Sequence, residues 1–207
     1  MKKQILYSKA GVWIFALFPI IRLIWLGIND GLGANPVEFV ERSTGTWTLV
    51  FLLLTLTATP FRLVTGEVWL IRLRRLLGLW MFFYACLHIA AYVWLDYGFY
   101  WPDIVNDIVK HPFVIVGFGA FMLTIPLAAT SNQVMMKRLK SNWKKLHQLI
   151  YLIAILAILH FWWLVKKDVT EPLYYSLALA CLFAIRLYFK YNRPIGRNKI
   201  ASNNMLM

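Results

Sequence analysis

Acidic residues are scarce in this 207-residue chain: nine Asp and Glu stand against 22 Lys and Arg, for a formal net charge of +13. Cysteine is scarcer still, with Cys86 and Cys181 alone, both inside apolar runs. Two thiols so placed exclude a disulfide framework and read as small buried side chains without a role of their own. No glycine-rich nucleotide fingerprint follows a strand-like run. The stretches between apolar runs are short. A soluble catalytic domain has nowhere to sit, and any chemistry must occur within the apolar part of the chain.

That part is large. Hydrophobic residues make up 60% of the sequence and the mean hydropathy is +0.61, above the usual range of a soluble domain. Charge-free windows at 43–61, 76–95, 111–136 and 146–165 each reach the about 19 residues needed to cross a bilayer. Two further runs, 10–28 and 172–189, contain one arginine each, Arg22 and Arg186. The expected fold is therefore an all-α membrane protein, a six-transmembrane-helix bundle with spans near 10–28, 46–64, 76–95, 112–130, 147–165 and 172–190. The first run is longer than a signal-peptide core and is expected to be a retained span. Pro19, Pro60 and Pro126 fall within spans and are expected to kink them.

In a soluble protein a charge of +13 would suggest nucleic acid as partner, but its distribution here argues for a bilayer and no nucleic acid. Sixteen basic residues fall on one side of the six spans: Lys2, Lys3, Lys9, Arg62, Arg72, Arg74, Arg75, Lys137, Arg138, Lys140, Lys144, Lys145, Lys190, Arg193, Arg197 and Lys199. Four, Arg42, Lys110, Lys166 and Lys167, fall on the other. By the positive-inside rule both termini are expected in the cytoplasm. Every acid but Glu67 lies on the outer side, including Asp103 and Asp107. The outer connection 96–110 alternates acids with Ile104, Val105, Ile108 and Val109, the pattern of a short surface helix. The basic inner connection 131–145 has the charge to lie likewise on anionic lipid.

Histidine is also rare, and its placement is the informative feature. There are four: His88, His111, His147 and His160. His88 lies thirteen positions beyond Arg75, and His160 thirteen beyond His147. On helices rising 1.5 Å per residue, both then lie ~20 Å from the cytoplasmic ends of two parallel spans. An imidazole in hydrocarbon requires a partner. A lone one is ordinarily satisfied by a neighbouring carbonyl, whereas a pair at equal depth is what a porphyrin clamped between helices requires. Zinc or copper would want further ligands, and these spans offer only Cys86. No Cys-x-x-Cys-His attachment sequence occurs, so haem would be non-covalent b-type, with His88 and His160 as axial iron ligands and electron transfer as its work.

At the inner position helix five offers His147, but helix three offers Arg74 and Arg75, which grip phosphates and carboxylates rather than iron. One haem is expected, a second being the alternative, with the inner site holding a propionate, a flavin phosphate, a quinone or lipid. Arg22 is a candidate propionate partner for the outer site. Arg186 is expected to snorkel to the interface, and His111 to be an exposed loop residue.

These residues carry a family resemblance. The segments GLGANP at 31–36, LIRLRRLLGLW at 70–80, ATS at 129–131 and WKKLHQLIY at 143–151, with His88 and His160, resemble the MsrQ (YedZ) family and, more widely, the ferric-reductase-like transmembrane superfamily. The resemblance implies one domain over 1–207 in the bacterial inner membrane. It implies a haem b subunit, with FMN as a further family cofactor, that takes electrons from membrane quinones. It passes them to a periplasmic molybdenum-containing methionine sulfoxide reductase, MsrP in that family. The chain would then be the electron-transfer subunit of an oxidoreductase complex and not its catalytic subunit. By the same resemblance the superfamily's outer histidine pair maps onto His88 and His160 and one inner histidine onto His147. Arg74 and Arg75 depart from the two-haem pattern. The end of the chain at Met207 without a dehydrogenase domain departs from the NADPH oxidases. The rival readings are a small transporter or channel with a polar path lined by His88, His160 and Arg22, and a scaffold subunit. No convincing inverted repeat of the transporter kind is visible.

Overall fold

The computed structural model describes residues 2–165 and 168–192; Lys166, Lys167, Arg193, Arg197, Lys199 and the terminus at Met207 lie outside the described residues. Every regular element among them is helical: α1 (Lys2–Ile28), α2 (Pro36–Thr65), α3 (Trp69–Ala90), α4 (Trp101–Lys110), α5 (Pro112–Ala129), α6 (Gln133–Leu139), α7 (Ser141–Leu146), α8 (Leu149–Leu164) and α9 (Thr170–Tyr191). A π-helical stretch, Ala91–Asp96, extends α3. Six segments are long and apolar enough to cross a membrane: Ile5–Ile28, Pro36–Thr65, Trp69–Asp96, Pro112–Ala129, Ser141–Leu164 and Thr170–Tyr191.

Helix ends follow local chemistry more than charge. The Asn35 side chain accepts from the Glu38 amide at 3.2 Å, and Pro36 occupies the first turn, so α2 starts ten residues before the span expected from its apolar run. Gly66, with φ 78°, closes α2 through its N–H to the Arg62 carbonyl. Arg72, Arg74 and Arg75 lie within the first turns of α3, which begins at Trp69. The two surface connections are helical, as their patterns predict: α4 at one end of the bundle, α6 and α7 at the other.

Four helices form the centre. α2 packs on α3, α3 on α5, α5 on α8 and α8 on α2, which leaves α3 and α8 facing each other across a diagonal. α1 closes on α3 and α2, and α9 on α2 and α8. The best-packed region is between α2 and α3, where Phe51, Leu56 and Tyr84 are wholly inaccessible. Phe51 stacks on Tyr84 at 5.4 Å, and Trp80 receives Trp13 edge-on at 4.9 Å. The Tyr84 hydroxyl donates to the Ala16 carbonyl at 2.5 Å and ties α1 to the centre. Large apolar side chains such as Ile14, Ile21 and Trp25 instead cover the outside, the surface lipid tails would solvate.

Arg186 departs from expectation. Rather than reaching for the helix end, it turns inward and donates to the Tyr151 hydroxyl and the Leu56 carbonyl, with its guanidinium 5.1 Å from the Tyr151 ring centre. The cause lies on α2: Pro60 has no N–H, so the carbonyl four residues earlier, that of Leu56, loses its helical donor. Arg186 replaces it.

Tyr84→Ala is expected to cost about 3–5 kcal/mol, as large aromatic truncations in packed cores do. Tyr84→Phe is expected to cost about 0.5–1.5 kcal/mol, the worth of one hydrogen bond. Unfolding in detergent measures both; equal losses would mean that the hydroxyl, not the ring, ties the helices.

Candidate functional site

His88 on α3 and His160 on α8 meet across the diagonal of the bundle, with ring centres 6.3 Å apart and planes at 76°. Each is held in the same way. Nδ1 of His88 lies 3.0 Å from the Glu41 carbonyl of α2, and Nδ1 of His160 lies 2.7 Å from the Phe113 carbonyl of α5, a separation of 47 residues in both cases. A carbonyl can only accept, so both rings carry their proton on Nδ1, leaving the Nε2 lone pair free. Thr44 Oγ1, at 3.4 Å from His88 Nδ1, sends its own proton to the Val40 carbonyl. Neither Nε2 takes part in a hydrogen bond among the described residues.

The approach of ring to helix backbone is made possible by two glycines, each four positions after the accepting carbonyl. A Cβ on Gly45 would stand 3.1 Å from Cε1 of His88, and one on Gly117 would stand 2.7 Å from Nδ1 of His160. Glycine, carbonyl and histidine thus recur at matching spacing in α2–α3 and in α5–α8: the two hairpins present the same seat twice. Histidine depth was legible in the sequence; the seat was missed. The signal for it was present as two glycines at equal distance before two histidines.

Two imidazoles whose Nε2 lone pairs are free, with ring centres 6.3 Å apart, are donors of the right kind to share one metal ion. A metal–imidazole bond of about 2.0–2.1 Å and about 1.1 Å from nitrogen to ring centre set two such rings about 6.3 Å apart, the spacing observed. Among the described residues no group of three or more His, Cys, Asp or Glu is placed to hold a metal. Any further donors to such an ion would have to come from a ligand that brings its own.

Toward the α6–α7 end of the bundle a cavity of about 590 Å³ opens between α2, α3, α5 and α8. Arg74, Arg75, Lys144, His147 and Tyr151 line it, and no acid does. Three of the four other sequence-predicted site residues, Arg74, Arg75 and His147, are therefore brought together here. Trp143 stacks on His147 at 4.0 Å, and Trp143 Nε1 donates to the Thr130 carbonyl at 3.0 Å. The Thr130 hydroxyl donates to the Pro126 carbonyl at 2.7 Å, so its oxygen accepts from Nε2 of His147 at 3.1 Å. In this arrangement Nε2, the usual ligating nitrogen, is already engaged. Trp143, Thr130 and Tyr151 lie in the segments that carry the family resemblance, but sequence alone assigns them no role in the site. Arg22 is exposed on α1 with its guanidinium 5.7 Å from the Phe39 ring centre, and among the described residues no hydrogen bond or ring contact joins it to either histidine.

His111 is half exposed yet not free: its Nδ1 lies 2.7 Å from Asp107, which also accepts from the Tyr92 hydroxyl at 2.8 Å. Burial acts to raise the Asp107 carboxyl, but hydrogen bonds from Tyr92, His111 and Tyr97 outweigh it and hold the group below the usual carboxylate range. This cluster fastens α4 over the end of the bundle nearer His88.

A family model described as "Ferric reductase like transmembrane component" matches residues 43–158, which include Gly45, His88, Gly117 and His147. A protein of Herminiimonas arsenicoxydans named "Protein-methionine-sulfoxide reductase heme-binding subunit MsrQ" is 45% identical over 97% of this chain and 94% of its own. Proteins of the same name from Xanthomonas euvesicatoria and Ralstonia nicotianae are 49% and 48% identical, each over 90% of this chain and 88% of its own. No solved structure gives a significant match.

Gly117→Ala must push the His160 ring away from Phe113 and is expected to cost about 1–3 kcal/mol, the range of overpacking. At Gly45 the clash is smaller, and the helix-propensity gain of about 0.5–1 kcal/mol offsets it. Thermal unfolding of the two variants side by side measures this; equal effects would contradict the difference between the seats.

Proposed function

The chain belongs to the MsrQ family of haem-binding subunits, within the ferric-reductase-like transmembrane components, and on that premise we propose that it is a membrane electron-transfer subunit carrying a b-type haem between His88 and His160. One observation carries this reading: two imidazoles 6.3 Å apart on diagonal helices, each with Nδ1 tied to a backbone carbonyl. That geometry fits a six-coordinate haem iron. When bound, the haem supplies a one-electron relay. The chain's own part would be to fix both rings in the ligating tautomer, with His88 and His160 holding the iron and apolar helix faces excluding water.

Electrons enter, in this proposal, through the cavity lined by His147, Arg74 and Arg75. Its cationic wall suits an anionic or quinonoid group: a membrane quinol, the phosphate of FMN, or the propionates of a second haem. The engagement of His147 Nε2 by Thr130, and Arg75 thirteen positions before His88 where His147 stands thirteen before His160, favour a single haem. His147 there shapes the pocket and can relay a proton. Arg22, exposed on α1, remains a partner for a haem propionate only if its side chain swings from Phe39.

Residues 1–207 form one domain of a multi-pass protein of the bacterial inner membrane with both termini cytoplasmic, a sidedness that the charge asymmetry supports. Electrons leave at the α4 end. Asp103 and Glu171 lie there, exposed, with Glu171 paired to Arg42 at 3.2 Å, and Asp103 offers an acidic contact to a periplasmic reductase of the MsrP kind, whose catalysis of methionine sulfoxide repair the chain would feed.

The purified protein is expected to show haem b bands in a dithionite-reduced minus oxidised spectrum. His88→Ala and His160→Ala are each expected to lose them, because each leaves the opposite imidazole without its share of the iron. Retention of the wild-type spectrum and haem content in both variants would refute the pairing.

A further inference from the structure

Arg186 lies in a membrane-length helix without an ion-pair partner among the described residues. A cation at such depth is ordinarily paired or functional. Two of its donors are accounted for, by the Tyr151 hydroxyl and the Leu56 carbonyl; its Nε is buried and has no hydrogen-bond partner. The consequence falls on Tyr151. A guanidinium has five N–H donors and no acceptor, so the Tyr151 oxygen accepts from Arg186 and the phenolic proton must go elsewhere. No acceptor for it exists among the described residues. Tyr151 lines the 590 Å³ cavity together with Arg74, Arg75 and His147.

We infer that the Tyr151 O–H is the hydrogen-bond donor that receives a carbonyl oxygen of a quinone head group in this cavity, with Arg186 as the positioning residue behind it. This rests on the reading of the cavity as the point of electron entry. The chemistry is specific. A phenol whose oxygen is polarised by a guanidinium is a stronger donor than a phenol alone. Its charge is fixed at a distance, so the site favours an acceptor that gains electron density without requiring a formal anion. A conjugated carbonyl is such an acceptor. Met81 and Phe82 of α3 and Leu127 of α5, which line the same cavity, suit the face of a flat ring. Arg186 itself is held by the carbonyl that Pro60 frees, so a proline on α2 fixes the direction of a hydroxyl on α8.

The test uses the full chain with its haem, in detergent, and decylubiquinone labelled with ¹³C at its carbonyls. Isotope-edited infrared difference spectra report the carbonyl stretch of the bound quinone. The wild type is expected to shift that band to lower frequency than in protein-free micelles. Tyr151→Phe, isosteric with tyrosine, is expected to return it toward the free position and to weaken binding about 2- to 12-fold, the range of one hydrogen bond, with haem absorbance unchanged. Arg186→Lys, which keeps a charged donor, is expected to retain most of the shift. The same band in wild type and Tyr151→Phe would overturn the inference while leaving the cavity as an entry site. Absence of both quinone and FMN binding to a haem-replete wild type would overturn both. FMN serves as a second probe because its ring carbonyls are acceptors of the same kind; Tyr151-dependent binding of FMN without binding of the quinone would overturn the quinone assignment. Loss of haem in Tyr151→Phe would count against the inference by making the hydroxyl structural.

Discussion

An imidazole surrounded by hydrocarbon must satisfy one nitrogen before the other can do chemistry, and the centre of this protein is organised by that requirement. α2 and α5 each present a backbone carbonyl to a histidine on the neighbouring helix, at 3.0 Å and 2.7 Å. Each can do so because a glycine one turn later leaves the groove open. Helix carbonyls have a second lone pair, so the bond is made without breaking the helix. The rings are thereby fixed in tautomer and direction before any cofactor arrives, which is what preorganisation of a metal site demands. The four-helix ring serves the same need, since it sets α3 and α8 on a diagonal with their two imidazoles 6.3 Å apart.

The opposite end of the bundle obeys a different logic. Cations gather around a cavity with no acid in its wall. Arg75 stands in the register that His147 occupies on the partner hairpin, and His147 is stacked on Trp143 and bonded to Thr130. The two hairpins thus match at one depth and differ at the other. Where they differ, no matched imidazole pair stands among the described residues, and guanidinium, ammonium and phenol groups line the cavity instead. In the proposed function these two ends would serve iron and an oxygen-bearing donor, and the difference between them would give electron flow its direction.

The sequence made the helices legible because length and apolarity determine them, and it made the histidine depths legible because a helix converts spacing into height. Helix starts were less readable: α2 begins ten residues early because Asn35 and Pro36 cap it, a local effect that a hydropathy window averages away. Arg186 was misread for a related reason. Snorkelling is the default for an arginine near a helix end, but Pro60, far off in the chain, leaves a carbonyl that captures it. Gly45 and Gly117 were invisible singly; only a contact between helices reveals why a side chain is missing there. Sidedness rests on charge asymmetry alone, and nothing in the packing speaks to it.

The central claim is that the His88 and His160 imidazoles share one iron through Nε2. Near-infrared magnetic circular dichroism of the oxidised, purified protein reads this directly, because the energy of the low-spin ferric charge-transfer band depends on the pair of axial ligands. The account predicts a single six-coordinate species with bis-imidazole ligation. A high-spin signal, or a band assigned to histidine with any other axial partner, would contradict it.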